Sequence, residues 1–226
     1  MLRRLIDTLR PSNSELARRV PNHVLLGWYF RKAAGPTLRG LIQSPFMGSV
    51  RLPIFIGRST SISYRRKLFL GRGVSLGANS TVQAFSSQGV RIASRVTIRE
   101  RAWIQCSSHP SMPGVGLSIG AGTYIGPGAT IGVGGPVHIG AGCQIGANFT
   151  VVSENHADSP SGRPSKTEVT RVGVRIANDC WIGHGVTVLD GVELGEGCTV
   201  GAGAVVTRSF AAGARIAGVP ARLLDS

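Results

Sequence analysis

Aromatic residues are scarce, at 6% of 226 residues, and so are acids: 11 Asp or Glu stand against 25 Lys or Arg, for a net charge of +14. So few rings suit a narrow interior rather than a broad core. The four cysteines include no CxxC pair, which argues against a zinc ribbon or a disulfide framework and for a reduced, cytoplasmic setting. Met1 to Arg10 lacks the apolar run of a signal peptide, and Val24 to Phe30 is too short to cross a bilayer. The chain is therefore expected to be soluble or membrane-peripheral. No helix-turn-helix, zinc-finger or RNA-binding signature accompanies the basic charge, so nucleic acid is not an expected partner.

The charge is unevenly placed. Residues 1–72 hold 14 Lys or Arg against Asp7 and Glu15, a net +12, whereas residues 73–226 hold 11 against nine acids, a net +2. Such asymmetry points to an anionic partner such as a membrane surface or a phosphorylated ligand, with a plain solvated face as the alternative.

What the chain does have is glycine, 32 residues, and a repeat. An aliphatic residue returns every six positions: Ile92, Ile98, Ile104; Ile119, Ile125, Ile131; Ile139, Ile145, Val151; Ile176, Ile182, Val188; Leu194, Val200, Val206. Leu70, Leu76 and Val82 form an earlier triplet, and Val50, Ile56 and Ile62 another. Six is neither a helical period nor a strand alternation. Most aliphatics are followed by Gly or Ala, with a small residue four places on. This grammar describes short strands that each bury one aliphatic and one small side chain, joined by corners where Gly or Asn takes a positive φ cheaply. Three such strands close a triangular coil, and stacked coils align the aliphatics in columns. Between triplets the step lengthens to ten, 15, eight or 25 residues, so every extra residue emerges at one corner of the prism. Cys143, Cys180 and Cys198 each fall at the small inward position and read as core thiols.

Ahead of the repeat, Leu2, Leu5, Ile6 and Leu9 predict a basic amphipathic helix stopped by Pro11, and Ser12 with Glu15 opens a second through Arg19. A third begins at Pro21, carries Val24, Leu25 and Trp28 on one face, and is expected to end at Gly35-Pro36. These helices are expected to cap the open end of the solenoid, with an interfacial membrane anchor as the alternative. The resulting division is a basic helical segment over 1–49, the solenoid over 50–206, and a tail over 207–226 that folds back along it. Within the solenoid, residues 152–174 form a long polar excursion, Ser153-Glu154-Asn155-His156-Ala157-Asp158 and onward, and a connection of this length is expected to be functional.

These hexads, with Trp181-Ile182-Gly183, the run Val200-Gly201-Ala202-Gly203-Ala204-Val205-Val206-Thr207-Arg208, and Gly218-Val219-Pro220-Ala221-Arg222, resemble the hexapeptide-repeat acyltransferases. The galactoside and maltose O-acetyltransferases and their polysaccharide-modifying relatives are the nearest in pattern. The resemblance covers about residues 50–226. It implies an all-β solenoid, a left-handed parallel β-helix with a small N-terminal α-helical segment. It also implies transfer of an acetyl group from acetyl-CoA to a hydroxyl of a sugar or glycan precursor, in a homotrimer with active sites between subunits and no metal.

Gapless alignment places His156 on the family's catalytic histidine, and an imidazole can take the acceptor's proton near neutral pH. Glu154, Asp158, Asp179 or a backbone carbonyl would orient it. Asn155, Asp158 and His109 are candidate acceptor contacts. On the donor side the resemblance implies Trp181, which matches the Trp of the family's Trp-Ile-Gly motif, His184, which stands where relatives often have Ser, and Ala202 and Gly203, whose stretch lines the pantetheine arm with its backbone. It puts Thr207, Arg208 and Arg222 near the adenine and phosphates of CoA, where Arg can neutralise charge. No Cys or Ser stands beside His156 in a nucleophile motif, so no covalent acyl-enzyme is expected. Two departures matter. Gly126 to Gly128 and Val133-Gly134 stand where close relatives carry Asn and Asp, so acceptor binding is expected to differ. Ala211-Ala212 replaces a Pro-Pro pair, which loosens that connection. Competing readings are N-acyl transfer to an amino sugar, a non-catalytic β-helical scaffold, and a zinc hydratase, for which His109, His138, His156 and His184 lack paired spacing.

Overall fold

The computed structural model describes residues 21–106, 109–158 and 164–224. Seven triangular coils stack into a prism with one parallel sheet on each face. Face 1 holds Ser49–Val50, Leu68–Leu70, Val90–Ile92, Gly116–Ile119, Pro136–Ile139, Val174–Ile176 and Glu193–Leu194. Face 2 holds Phe55–Ile56, Ser75–Leu76, Thr97–Ile98, Tyr124–Ile125, Gln144–Ile145, Trp181–Ile182 and Thr199–Val200. Face 3 holds Ser61–Ser63, Thr81–Gln83, Trp103–Gln105, Thr130–Gly132, Thr150–Val152, Thr187–Val188 and Val205–Val206. This is the expected left-handed parallel β-helix. Strands pair without slippage, so Ile92, Ile119, Ile139, Ile176 and Leu194 stack as one column. The column residues from Ile56 onward are buried, and each contributes roughly 1.5–3 kcal/mol of apolar burial.

The small inward position is filled as expected by Cys143, Cys180 and Cys198, each buried. Their thiols donate to carbonyls on the next coil, at 3.2 Å to Ala177, 3.3 Å to Gly195 and 3.1 Å to Ala211. Ile54 and Phe210, near the two ends of the repeat, depart from this, and so does Phe149, a fully buried ring at the same position. Ala129, one coil earlier, is the small neighbour that leaves room for it.

Glycine serves two purposes rather than the one expected. Positive φ is found at corner residues such as Gly142 (+68°) and Asn148 (+55°), but also at Arg95 (+61°) and Arg101 (+60°), so cheap conformers do not fill every corner. The glycine directly after a column aliphatic is there for space instead. A Cβ on Gly183 would sit 2.6 Å from the Ala202 nitrogen of the next coil, and one on Gly140 would sit 2.5 Å from the Ala177 carbonyl carbon.

The two short helices read over Leu2 to Arg19 lie outside the described residues. The third starts where expected, as α1 (Asn22–Gln43) behind Pro21, but it does not end at Gly35-Pro36: it runs through Pro36. A proline inside a helix forfeits a backbone hydrogen bond, and here packing outweighs that cost. Gly40 is buried so tightly against Ile54 that any side chain would overlap the Ile54 carbonyl. Beside it the Arg39 Nε donates to the Ile56 carbonyl at 2.8 Å, and Thr37 Oγ1 donates to Ala33 at 2.7 Å. At the other end Arg215–Ala217 adds a further rung to face 2, and Arg222–Leu223 folds back antiparallel on it.

Candidate active site

All the long connections leave at the return edge, where face 3 turns back to face 1. The longest passes out through Ser153, which is buried and whose hydroxyl donates to the Gly132 carbonyl at 2.8 Å. It then forms an antiparallel hairpin of Asn155–Asp158 and Pro164–Thr170, with His156 opposite Val169. Asn155 and His156 are exposed. The hairpin closes where Asp190 accepts from the backbone N–H of Val172 (3.2 Å) and of Gly173 (2.6 Å).

Arg171 braces this hairpin. Its Nε lies 3.1 Å from Glu154 Oε2, and its Nη1 donates at 3.3 Å to the carbonyl of Pro113 in the neighbouring excursion. That second excursion carries His109, exposed, with Nδ1 2.7 Å from Ser111 Oγ. The two excursions that bear His109 and His156 are thus tied together by one guanidinium. Of the candidate orienting groups, Glu154 is engaged by Arg171, and Asp179 sits at the edge between faces 1 and 2. Asp158 lies on the hairpin strand itself, opposite Pro164.

At the foot of the hairpin, the outer surface of face 3 forms a cleft of about 260 Å³. Trp103, Thr130 and Thr150 stack along its wall in register, and Gln105, Glu154 and Arg171 also line it. Trp103 is 45% exposed. Neither Trp103 nor Arg171 was singled out from the sequence, although Trp103 precedes its column isoleucine in the same phase as Trp181. Cys106 also lines the cleft, but burial pushes its thiol pKa up to about 11. The thiol is therefore protonated at neutral pH, and it is buried, neither of which suits a nucleophile. Deeper in the prism, Cys180 is held above the usual thiol range by its hydrogen bond with Cys143 and by burial.

The donor-side residues divide between two edges. Trp181 stands 63% exposed on face 2. His184, Ala202 and Gly203 follow at the edge between faces 2 and 3, where Gly203 N–H donates to the His184 carbonyl at 2.8 Å and Asn148 Nδ2 approaches His184 Nε2 at 3.4 Å. Thr207 and Arg208 lie instead at the return edge, with the Arg208 guanidinium 5.2 Å from the centre of the Phe210 ring. Arg222 lies on the antiparallel strand at the end of face 2. One chain therefore brings Trp181, His184, Ala202 and Gly203 together but places His156 across face 3 from them. His138 is on the outside of face 1, with Nδ1 2.6 Å from Ser118 Oγ. The described residues contain no cluster of three His, Cys, Asp or Glu able to hold a metal ion.

Two family models match this chain: the bacterial transferase hexapeptide (six repeats) over residues 173–208 and the hexapeptide repeat of succinyl-transferase over residues 116–153. These two stretches of the chain are thus similar to the hexapeptide repeats of bacterial transferases. Residues 173–208 cover the coils that carry Trp181, His184, Ala202 and Gly203, and residues 116–153 lead into the hairpin. A Schizosaccharomyces pombe sequence named as a candidate acetyltransferase is 47% identical over 49 residues, 22% of this chain and 24% of that protein. The 2,3,4,5-tetrahydropyridine-2,6-dicarboxylate N-acetyltransferase of Staphylococcus aureus is 45% identical over 51 residues, 23% of this chain and 21% of the enzyme. The chain thus matches less than a quarter of the length of either relative. Among solved structures, a variant of the Bacillus cereus N-acyltransferase AntD with dTDP-4-amino-4,6-dideoxyglucose and coenzyme A superposes with a TM-score of 0.54. It is 16% identical over 83% of this chain and 88% of that chain, a likeness of fold.

Proposed function

We propose that the chain is an acyl-CoA-dependent acyltransferase that moves an acetyl group from acetyl-CoA to a hydroxyl of a sugar or glycan precursor, with His156 as general base. The observation that carries this reading is an exposed imidazole on a hairpin whose two ends, Glu154 and Arg171, line a cleft walled by an exposed tryptophan. The cleft of about 260 Å³ is smaller than the roughly 300–1,000 Å³ typical of sites for drug-sized ligands, in keeping with one sugar ring. Trp103 offers such a ring an apolar face, and Gln105, Thr130 and Thr150 offer it hydrogen bonds.

In the reaction the His156 imidazole accepts the hydroxyl proton as the acceptor oxygen bonds to the thioester carbonyl carbon. The tetrahedral intermediate collapses with cleavage of the C–S bond, and the imidazolium returns the proton to the departing CoA sulfur. Trp181, His184, Ala202 and Gly203 hold the pantetheine arm, while Thr207, Arg208 and Arg222 meet the adenine and phosphates. Asn155, Asp158 and His109 contact the acceptor. Because these groups occupy two edges of one prism, we read the working form as a homotrimer in which the return edge of one copy faces the 2–3 edge of the next. The setting is cytoplasmic, and the acceptor is free or lipid-linked.

N-acyl transfer to an amino sugar is the second reading, favoured by the names of the Staphylococcus aureus relative and of AntD. Release of CoA thiol from acetyl-CoA, followed across paired hydroxyl and amino sugar acceptors, separates the two. Acceptor-dependent release only with amines selects N-transfer. No release with any acceptor, together with no stabilisation of the fold by CoA, overturns the enzymatic reading.

A further inference from the structure

The outward side of α1 carries a row of exposed apolar side chains beside exposed His23, which is unusual for an element that caps a solenoid, since capping elements normally show water a polar face. Val24, Phe30, Leu38, Leu41 and Ile42 are between 47% and 74% exposed. At about 100° per residue they fall within an arc of about 120°, on the side opposite buried Gly40. Just past the helix Phe46, 60% exposed, shares a shallow depression with Tyr64 and the cations Arg65, Arg66 and Lys67. The surrounding charge is of one sign. Between Glu15 and Glu100 the sequence contains no Asp or Glu and 14 Lys or Arg.

We propose that this end of the prism docks on an anionic lipid bilayer, with the α1 stripe and Phe46 entering the headgroup boundary and Arg65, Arg66 and Lys67 facing the lipid phosphates. An apolar stripe flanked by cations is the chemistry of interfacial helices. The alternatives fit the charge less well. A second copy would bring the same cations into contact with these. Residues 1–14 add three Arg against Asp7, so they do not neutralise it either. Nucleic acid would match the cations but not the apolar stripe. On face 3 the depression beside Ile62 stands two rungs from Trp103, and the proposal does not depend on the acyl-transfer reading.

The test is flotation of the full chain with vesicles of phosphatidylcholine alone or mixed with phosphatidylglycerol, at low and high salt. The proposal expects binding to the mixed vesicles only, weakened as salt rises. Leu41→Glu with Ile42→Glu, and separately Arg65→Gln with Arg66→Gln and Lys67→Gln, should each weaken binding about tenfold or more while leaving the melting temperature and transfer to a soluble acceptor unchanged. Failure of the intact chain to float with the mixed vesicles overturns the proposal. So does full binding by both variants. A change of oligomeric state in the Leu41→Glu/Ile42→Glu variant, with no lipid binding by the intact chain, would make the stripe a contact between copies instead.

Discussion

After each column aliphatic of faces 1 and 2 the next residue is usually small, as at Gly71, Gly120, Ala177, Gly126 and Gly183, whereas after the face 3 aliphatics it is Ser63, Gln83, Gln105, Gly132, Val152, Leu189 or Thr207. The same hexad therefore meets two kinds of edge. On the first two, successive backbones nest so closely that a Cβ on Gly183 would lie 2.6 Å from Ala202 N. At the return edge the nearest atom to a Cβ on Gly132 is 3.3 Å away, and all the long excursions leave there. In the phase directly after the column the return edge leaves room for side chains, while its excursions are packed through their own glycines, Gly114, Gly134 and Gly173, where a Cβ would overlap a neighbouring atom. The proposed chemistry lies at the edge where the spacing of the repeat varies, on a frame of regular columns.

Substitutions at matched positions break or sharpen this contrast. The largest effect is expected at the return edge: His156→Ala should lower kcat by about 10²–10⁴-fold while the melting temperature stays within about 2 °C, checked by CoA release and thermal melting. Gly183→Ala at a tight edge should do the reverse. It should cost about 1–3 kcal/mol in denaturant unfolding, whereas Gly132→Ala, in the same hexad phase at the return edge, should cost less than about 0.5 kcal/mol. Arg171→Ala unties the two excursions and should reduce kcat about tenfold with little loss of stability; restoration of activity by Arg171→Lys would show that charge alone suffices. Smallest is Cys106→Ser, expected to change kcat by no more than about threefold, because the buried thiol is protonated at neutral pH. Abolished transfer in a folded Cys106→Ser variant would point to an acyl-cysteine.

The frame was legible in the sequence because one period fixed every column and put every excursion at one corner. The reading failed where local rules met tertiary packing. Pro36 looked like the end of a helix, but the contact of Gly40 with Ile54 and the bond from Arg39 to Ile56 carry the helix past it. Glycine after an aliphatic looked like a turn residue, but it answers to the coil stacked above it. On the site, the long polar stretch pointed to the His156 hairpin. Its brace was not readable, because Arg171 reaches Pro113 across 58 positions of sequence. Trp103 was overlooked because the repeat marks which residues point inward and says nothing of which outward ones share a cleft.

The central claim is that an imidazole at the return edge acts on a thioester held along the 2–3 edge of another copy. Its most direct test uses two inactive chains, His156→Ala and Ala202→Glu, the latter putting a carboxylate on the donor surface. Each alone should transfer acetyl groups at less than about a hundredth of the wild-type rate. Co-expressed with different tags and purified through both, mixed oligomers should regain acceptor-dependent CoA release, since some interfaces then pair an intact His156 with an intact donor surface. Mixed oligomers as inactive as their parents would contradict the claim.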